Sequence, residues 1–423
     1  MKLSFGYGKG EQTVEVPEKN LLGVLVANEL EHERRGADAV RYALTHPISA
    51  PLLGESVRKK KAALGKDRIK IAIIASDISR PVPSYEILPS VIETLLDSGC
   101  APEEITVVFA LGSHRGHTEE EKRHLAGDWV FETVRCEDSN PDDCVHMGDT
   151  SSGTPVDITR TVAEADYIIC TGNIEFHYFA GYSGGYKAIM PGVSTPAAIQ
   201  ANHRMMVRNE AHAGNIDTNP IRQDIEEGGR ICGADYMVNV VLDEHKHIVY
   251  AVAGDMIKAH RAGCAYLDKM YRKPLSRQAD IVLVSQGGAP KDANLYQVQK
   301  ALDNSKHAVK DGGRIILIGA CNEGFGSKVF EEWFKEAPTA ESMIKRINEH
   351  FVLGGHKAAA VAMVMQKADI DLVSEMDDET VKSIFMTPRK SAQEAFDAAM
   401  EKYGPEATVI AMPFGGATLP IPE

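Results

Sequence analysis

Residues 176–192, FHYFAGYSGGYKAIMPG, combine a histidine (His177), a glycine pair (Gly184, Gly185) and a lysine (Lys187) within one short stretch. A glycine-rich turn that carries a lysine commonly cradles phosphate. A phosphate loop, however, needs Gly-Lys-Ser/Thr with a first glycine five residues before the second. Gly181 and Lys187 have about that spacing, but Tyr186 stands where the second glycine belongs and Ala188 where the magnesium-binding hydroxyl belongs. No Gly-x-Gly-x-x-Gly follows a strand-like run either, so the dinucleotide fingerprint is missing. Lys187 therefore needs another task.

Other residues of chemical interest stand in SDISRPVP (76–83), with Asp77 and Arg80, and in LGSHRGHTEEE (111–121), with His114 and Arg115. His203 closes ANH (201–203), and YQVQK (296–300) contains Tyr296, Gln297 and Lys300. Each has an ordinary reading as well. Asp77 and Arg80 could form a local ion pair in a turn stiffened by Pro81 and Pro83. Lys300 could belong to a solvated helix face, and a lone histidine is more often structural than catalytic. Cys136, Cys144 and His146 lack the spacing of a zinc finger or ribbon and read as an acidic loop with two thiols. HKH at 245–247 reads as the solvated start of a strand.

The elements that must position these residues alternate. IKIAIIA (69–75), EITVVFAL (104–111), ADYIICTG (165–172), YMVNVVLD (236–243) and HIVYAVAG (247–254) read as strands, and 84–99 and 118–127 as helices. Thr118, with Glu121 three residues on, has the pattern of a capping box. The pattern restarts near 272 with strands at 281–285, 313–320, 370–374 and 407–413, and helices at 293–309, near 340–366 and at 391–402. This predicts an α/β protein of two domains, each built on a mostly parallel sheet flanked by helices, with the active site in the interdomain cleft. The expected boundaries are 1–271 for the first domain and 272–405 for the second, with 406–423 as a terminal segment that returns to the first. In open parallel sheets ligands sit beyond the carboxyl ends of strands. Asp77, Arg80, His114, His177 and Lys187 all follow such ends.

Composition narrows the function. The formal net charge of −14 over 423 residues argues against a nucleic-acid or anionic-membrane surface. Seven scattered cysteines, Cys100, Cys136, Cys144, Cys170, Cys232, Cys264 and Cys321, have no framework spacing and suggest reduced thiols. The first twenty residues lack an apolar signal core, and no apolar run approaches the roughly 18 residues of a membrane span. A cytoplasmic protein is expected.

The order of these motifs, and the spacing from His177 through Lys187 to His203, resembles the nickel-pincer-dependent lactate racemase family. The likeness runs along nearly the whole chain and includes NPIRQDIEE at 219–227. It implies a 2-hydroxyacid racemase or epimerase that carries a nickel-bearing pyridinium bisthiocarboxylic acid mononucleotide. Lys187 would hold this cofactor covalently, with Asp77, Gly184 and Gly185 beside it, and the glycines would let backbone approach the mononucleotide. His203 would be the protein's nickel ligand. His114 and His177 would be the acid/base pair, with Asp77 orienting a catalytic histidine. Arg80, Tyr296, Gln297, Lys300 and His356 would bind substrate. Separate biosynthetic proteins would supply the cofactor, so a chain produced alone is expected without it.

The residue types suit that chemistry. The Cα–H of a 2-hydroxy acid is too weakly acidic for an imidazole of pKa about 6.5 to remove as a proton. Transfer as hydride avoids the carbanion, one histidine takes the hydroxyl proton, and inversion through a 2-keto acid calls for a second histidine on the other face. The sequence also departs from the family. Trp129 and Trp333 do not match the family's substrate-side tryptophan, whose region here is HFVLGGHKAAA, 350–360. His356 and Lys357 could line the pocket there, or His356 could cap a helix start. The departure suggests a substrate larger or more polar than lactate, such as malate, an aromatic hydroxy acid or gluconate. The alternatives are an NAD-type 2-hydroxyacid dehydrogenase and a non-catalytic nucleotide or hydroxy-acid binding protein.

Overall fold

The computed structural model describes residues 1–422. The chain divides into two compact units, Leu30–Lys269 and Met1–Glu29 with Met270–Glu423.

In the Leu30–Lys269 unit a six-stranded sheet runs in the order Ile248–Gly254, Tyr236–Leu242, Tyr167–Asn173, Ile71–Ser76, Ile105–Ala110, Arg135–Asp138. The first pair is antiparallel and the rest are parallel. IAIIA, YIICTGN and YMVNVVL are buried at every residue, as expected of strands covered on both faces. One face packs on Leu53, Val57, Ile87, Val91 and Leu95 from the helices Leu53–Leu64 and Ser84–Asp97, which share one core with Ile71, Ile73, Val107 and Ile169. From the central strand Ile71–Ser76 the chain first builds toward Ile105–Ala110, then returns to add Tyr167–Asn173 on the other side. The sheet thus reverses direction between Ile71–Ser76 and Tyr167–Asn173, and a crevice opens at such a reversal. The segments that leave these strands contain Asp77 and Lys187.

The other unit has a six-stranded, all-parallel sheet in the order Thr387–Arg389, Ala368–Val373, Val309–Ile318, Ala279–Ser285, Val409–Met412, Leu21–Val24. Two expectations about boundaries need correcting here. Residues 1–29 lie in this unit rather than in one domain with 30–271. Leu21–Val24 adds a strand beside Val409–Met412, and the hairpin Lys2–Tyr7 with Gly10–Glu15 buries Leu3, Phe5 and Val14 against Ile281, Leu283 and Ile316. The segment 406–423 likewise stays in this unit. The fully buried VIAM of Val409–Met412 needs a neighbour on each side, and Ala279–Ser285 and Leu21–Val24 provide them. Leu419–Pro422 pairs with Arg272–Leu275. Among the described residues no helix is long and apolar enough to cross a membrane.

Candidate active site

The buried strand Ile71–Ser76 delivers Asp77, whose side chain is 4% exposed. Asp77 Oδ2 lies 2.8 Å from His114 Nδ1 and also accepts the Ser79 amide at 3.2 Å. Ser79 Oγ is 3.0 Å from the same imidazole nitrogen. The ion pair with Arg80 exists, but at 3.6 Å it is the longer contact. Burial pushes the Asp77 carboxyl up. Hydrogen bonds from His114 and Ser79, with the charges of His114 and Arg80, outweigh that and hold it below the ordinary range. A carboxylate only accepts, so His114 carries its proton on Nδ1 and has its lone pair on Nε2. Arg115 is turned away from this site. It grips Glu121 through two bonds of 2.8 and 2.6 Å, beside the predicted capping box of Thr118 and Glu121.

LGSHRGHT holds a second histidine of consequence, His117. Its Nδ1 is 2.6 Å from Asp138 Oδ1, and its Nε2 accepts the Ile78 amide at 3.0 Å. His117 therefore ties the Asp77 loop to the His114 loop. Two histidines three residues apart look equivalent in sequence; only their different aspartate partners separate them.

Lys187 sits half-buried in the short 3-10 turn Gly185–Ala188, after the hairpin Phe176–His177 with Gly181–Tyr182. Side chains from three later segments hold the backbone that leads to it. Asn219 Nδ2 donates to Phe179 O at 2.8 Å. Arg222 donates to the carbonyls of Ala180 and Gly184, each at 3.4 Å, and to that of Tyr182. His260 Nε2 donates to Ser183 O at 2.7 Å, and Asn239 Oδ1 accepts the Gly185 amide at 2.7 Å. Arg222 is fully enclosed, and burial draws its pKa down to about 10. NPIRQDIEE thus has a local reason: Asn219 caps the Pro220–Cys232 helix, Pro220 starts it, and Arg222 reaches the turn.

The structure gives a different reason for the glycines than approach to a nucleotide. Gly184 and Gly185 have φ of 75° and 60°. A Cβ on Gly184 would stand 2.6 Å from Asn239 Oδ1, and one on Gly185 3.0 Å from the His260 ring. The turn and its cage require both. Tyr186 is accommodated similarly. Its ring lies against Gly229, where a Cβ would come within 1.9 Å of it, and burial raises its hydroxyl to about 12.

His203 ends the helix Pro196–His203 and is 7% exposed, its Nδ1 3.0 Å from Asn202 Oδ1. The buried ring of Phe179 brings three candidates together. His177 and His203 meet it edge-on, with centroids 4.4 and 4.8 Å away, and Lys187 Nζ lies 5.8 Å from its centre. His177 Nδ1 accepts the Ala180 amide at 3.3 Å. Among the described residues no group of three or more His, Cys, Asp or Glu side chains is arranged to hold a metal ion. A metal at His203 would have to bring most of its donors with it, as a chelating cofactor does.

In the other unit the helix Leu295–Ser305 is capped by Asn294, and Gln297 and Lys300 lie exposed on one of its faces. Lys357 Nζ donates to Tyr296 O at 2.7 Å and stands 3.9 Å above the Tyr296 ring. His356 is buried in the first turn of Gly355–Met365, where its Nδ1 accepts the Gly354 amide at 2.9 Å. Burial, then the Lys357 charge, lowers its pKa to about 3. Trp333 is buried behind this turn, against Gly355.

An α/β sheet that places an oriented histidine and a caged lysine around one reversal point has the layout of an enzyme for small molecules. Residues 7–214 match the family model described as lactate racemase N-terminal domain, and 275–419 the lactate racemase C-terminal domain. The lactate racemase of Thermoanaerobacterium thermosaccharolyticum is 31% identical over 421 residues, covering 97% of this chain and 96% of its own. That of Lactiplantibacillus plantarum is 30% identical over 427 residues, with 97% of each chain covered. The structure of the T. thermosaccharolyticum lactate racemase apoprotein superposes with a TM-score of 0.89 at 29% identity, over 99% of this chain and all of that one. A Thermotoga maritima protein shares the fold at a TM-score of 0.61 and 19% identity, over 89% of this chain and 99% of its own. The chain belongs to the lactate racemase family and is an enzyme of the isomerase class.

Proposed function

We propose that this enzyme interconverts the enantiomers of lactate or of a larger 2-hydroxy acid, with a nickel-pincer nucleotide held covalently on Lys187. The observation that carries this reading is the grouping of Lys187, His203 and His177 around Phe179. A tethering amine, one imidazole ligand and an acid/base residue suit a group that brings its own chelating donors. When bound, that group supplies an electrophilic carbon that accepts the substrate's Cα hydrogen as hydride and returns it.

The chain's own residues do the rest. His114, oriented through Nδ1 by Asp77, takes the substrate hydroxyl proton on Nε2. His177 does the same for the opposite enantiomer. Arg80, 57% exposed beside this pair, offers a guanidinium for the substrate carboxylate. The resemblance also assigns Tyr296, Gln297, Lys300 and His356 to substrate binding. The exposure of Gln297 and Lys300 on one helix face suits them to that task, whereas His356 is enclosed. Biosynthetic proteins that load the cofactor are the partners this reading calls for.

The test is intact-protein mass spectrometry with nickel analysis on chain co-produced with a loading system. Wild type should carry the adduct and nickel, and Lys187→Ala should carry neither covalently. An adduct that survives in Lys187→Ala would overturn the assignment of the lysine. His203→Ala should keep the adduct and lose most of its nickel, and equal nickel in both would make His203 structural.

A further inference from the structure

We propose that Asn202 and Asp224 are positioning residues for His203, and that they fix its imidazole as the Nδ1–H tautomer with the lone pair on Nε2. The proposal deepens the reading of His203 as a metal ligand and rests on it for its purpose, though not for its geometry.

Asp224 is 1% exposed on the Pro220–Cys232 helix. Its hydrogen-bonding neighbours are donors. Thr154 Oγ1 donates to Oδ2 at 2.8 Å and Thr150 Oγ1 to Oδ1 at 2.5 Å. Thr150 Oγ1 itself accepts the Thr154 amide at 3.1 Å, which leaves its own hydrogen for the carboxylate. The third donor is Asn202 Nδ2, at 2.7 Å from Oδ2. That nitrogen also faces Ile221 O at 3.3 Å. Neither a carboxylate nor a carbonyl can donate, so the nitrogen end of the Asn202 amide must point toward Asp224. The amide, 0% exposed, is thereby oriented by its network, and its oxygen is left facing His203 Nδ1 at 3.0 Å. An amide oxygen only accepts, so Nδ1 carries the hydrogen and Nε2 the lone pair.

A metal ligand needs that lone pair, and the partner of the other ring nitrogen commonly sets which nitrogen has it. Here the partner is a neutral amide whose direction is set one step further away. The helix that supplies Asp224 also supplies Arg222, which holds the carbonyls before Lys187. One helix thus serves both the tethering turn and the ligand.

The experiment is long-range proton–nitrogen NMR on full-length apoprotein labelled with ¹⁵N-histidine, with the His203 signals assigned by their loss in His203→Ala. Wild type should show a protonated Nδ1 and a lone-pair Nε2 at His203. Asn202→Leu should shift the ring toward Nε2–H, and Asp224→Asn should give a mixture. In loaded enzyme, nickel should leave Asn202→Leu for a chelator roughly 10–100-fold faster than wild type, the usual worth of such a partner. A wild-type His203 with Nε2–H, or a ring unmoved in a folded Asn202→Leu, overturns the proposal. If neither variant folds, the wild-type tautomer alone decides. If the tautomer is as stated while His203→Ala keeps its nickel, the relay stands and the metal-ligand reading fails instead.

Discussion

The Asp77 carboxylate holds His114 Nδ1 at 2.8 Å from a position 4% exposed, while the imidazole it holds is 34% exposed. The buried anion fixes the tautomer, and in the function proposed above the accessible ring would transfer the proton, which sets Asp77 apart from a surface ion pair. Asp77→Asn can turn its amide nitrogen toward the ring and favour the wrong tautomer. Racemisation should fall roughly 10²–10⁴-fold in kcat, the share of one general base, with KM little changed. A drop in KM-linked affinity with kcat intact would mean that Asp77 serves binding instead. Because Asp77 is held below its ordinary pKa, its contribution to stability is present above about pH 3.9 and is lost as pH falls through the lower folded value. The variant should lack that part of the acid loss.

His356 should make a second contribution to acid sensitivity, in a higher window. Unfolded, the residue takes a proton near pH 6.5, whereas folded it resists until about pH 3. Between those values the unfolded chain binds more protons, so stability is full above about 6.5 and falls as pH drops. His260, held neutral by burial and then by the charge of Arg222, acts in the same direction. His356→Asn keeps an acceptor for the Gly354 amide and should be less stable at pH 7, with a shallower decline below pH 6.5. Urea midpoints at several pH values measure this, and parallel slopes for the two proteins would rule out His356 as a source.

Arg222 should be among the least replaceable residues outside the reacting groups. Arg222→Met removes a donor from three carbonyls, those of Ala180, Tyr182 and Gly184. The expected cost is about 3 kcal/mol or more. Arg222→Lys should recover only part, since one ammonium cannot span the three. Thermal unfolding measures the loss, and reductive methylation of Lys187, read by peptide mass, should speed up in both variants. Unchanged labelling would show that the turn keeps its shape without the guanidinium.

Much of this was legible in the chain because strands buried on both faces advertise themselves as apolar runs. IKIAIIA and ADYIICTG mark two strands, and the polar residues just after them mark the candidate site. Thr118 and Glu121 announced their helix start in the same direct way. What stayed hidden depends on partners far along the chain. Leu21–Val24 is too short to declare that it pairs with Val409–Met412. Asn219, Arg222, Asn239 and His260 act on backbone carbonyls and amides, which leave no mark in the sequence of 179–185. The crowding of Gly184 and Gly185 by Asn239 and His260 is likewise invisible in the sequence of the turn.

Gly229 follows from the same crowding. A methyl there would enter the Tyr186 ring, which is 6% exposed and cannot leave toward solvent without moving the Lys187 turn. Gly229→Ala should cost about 1–3 kcal/mol from overpacking. Gly229→Ala combined with Tyr186→Leu should regain a part of it, because the smaller side chain yields the space. Melting temperatures of the two single variants and the double variant give the coupling, and simple additivity would show that the two residues do not press on each other.

His114 and His177 should act on opposite enantiomers. They leave different strands of one sheet, and inversion requires a base on each face of a planar keto acid. Overall racemisation cannot separate them, since equilibrium ties the two directions and either single variant should lose both. A single turnover of loaded enzyme with one enantiomer can. His114→Ala should block reduction of the bound cofactor by one enantiomer and largely spare the other, and His177→Ala should show the opposite preference. Each base is worth roughly 10²–10⁴ in rate, a contrast visible in the absorbance change on reduction. The two variants should also respond differently to Asp77→Asn. That substitution should add little to His114→Ala, because Asp77 acts through His114, yet should compound the defect of His177→Ala. Equal reduction of either single variant by both enantiomers would rule out two opposed bases, and would leave one histidine serving both faces.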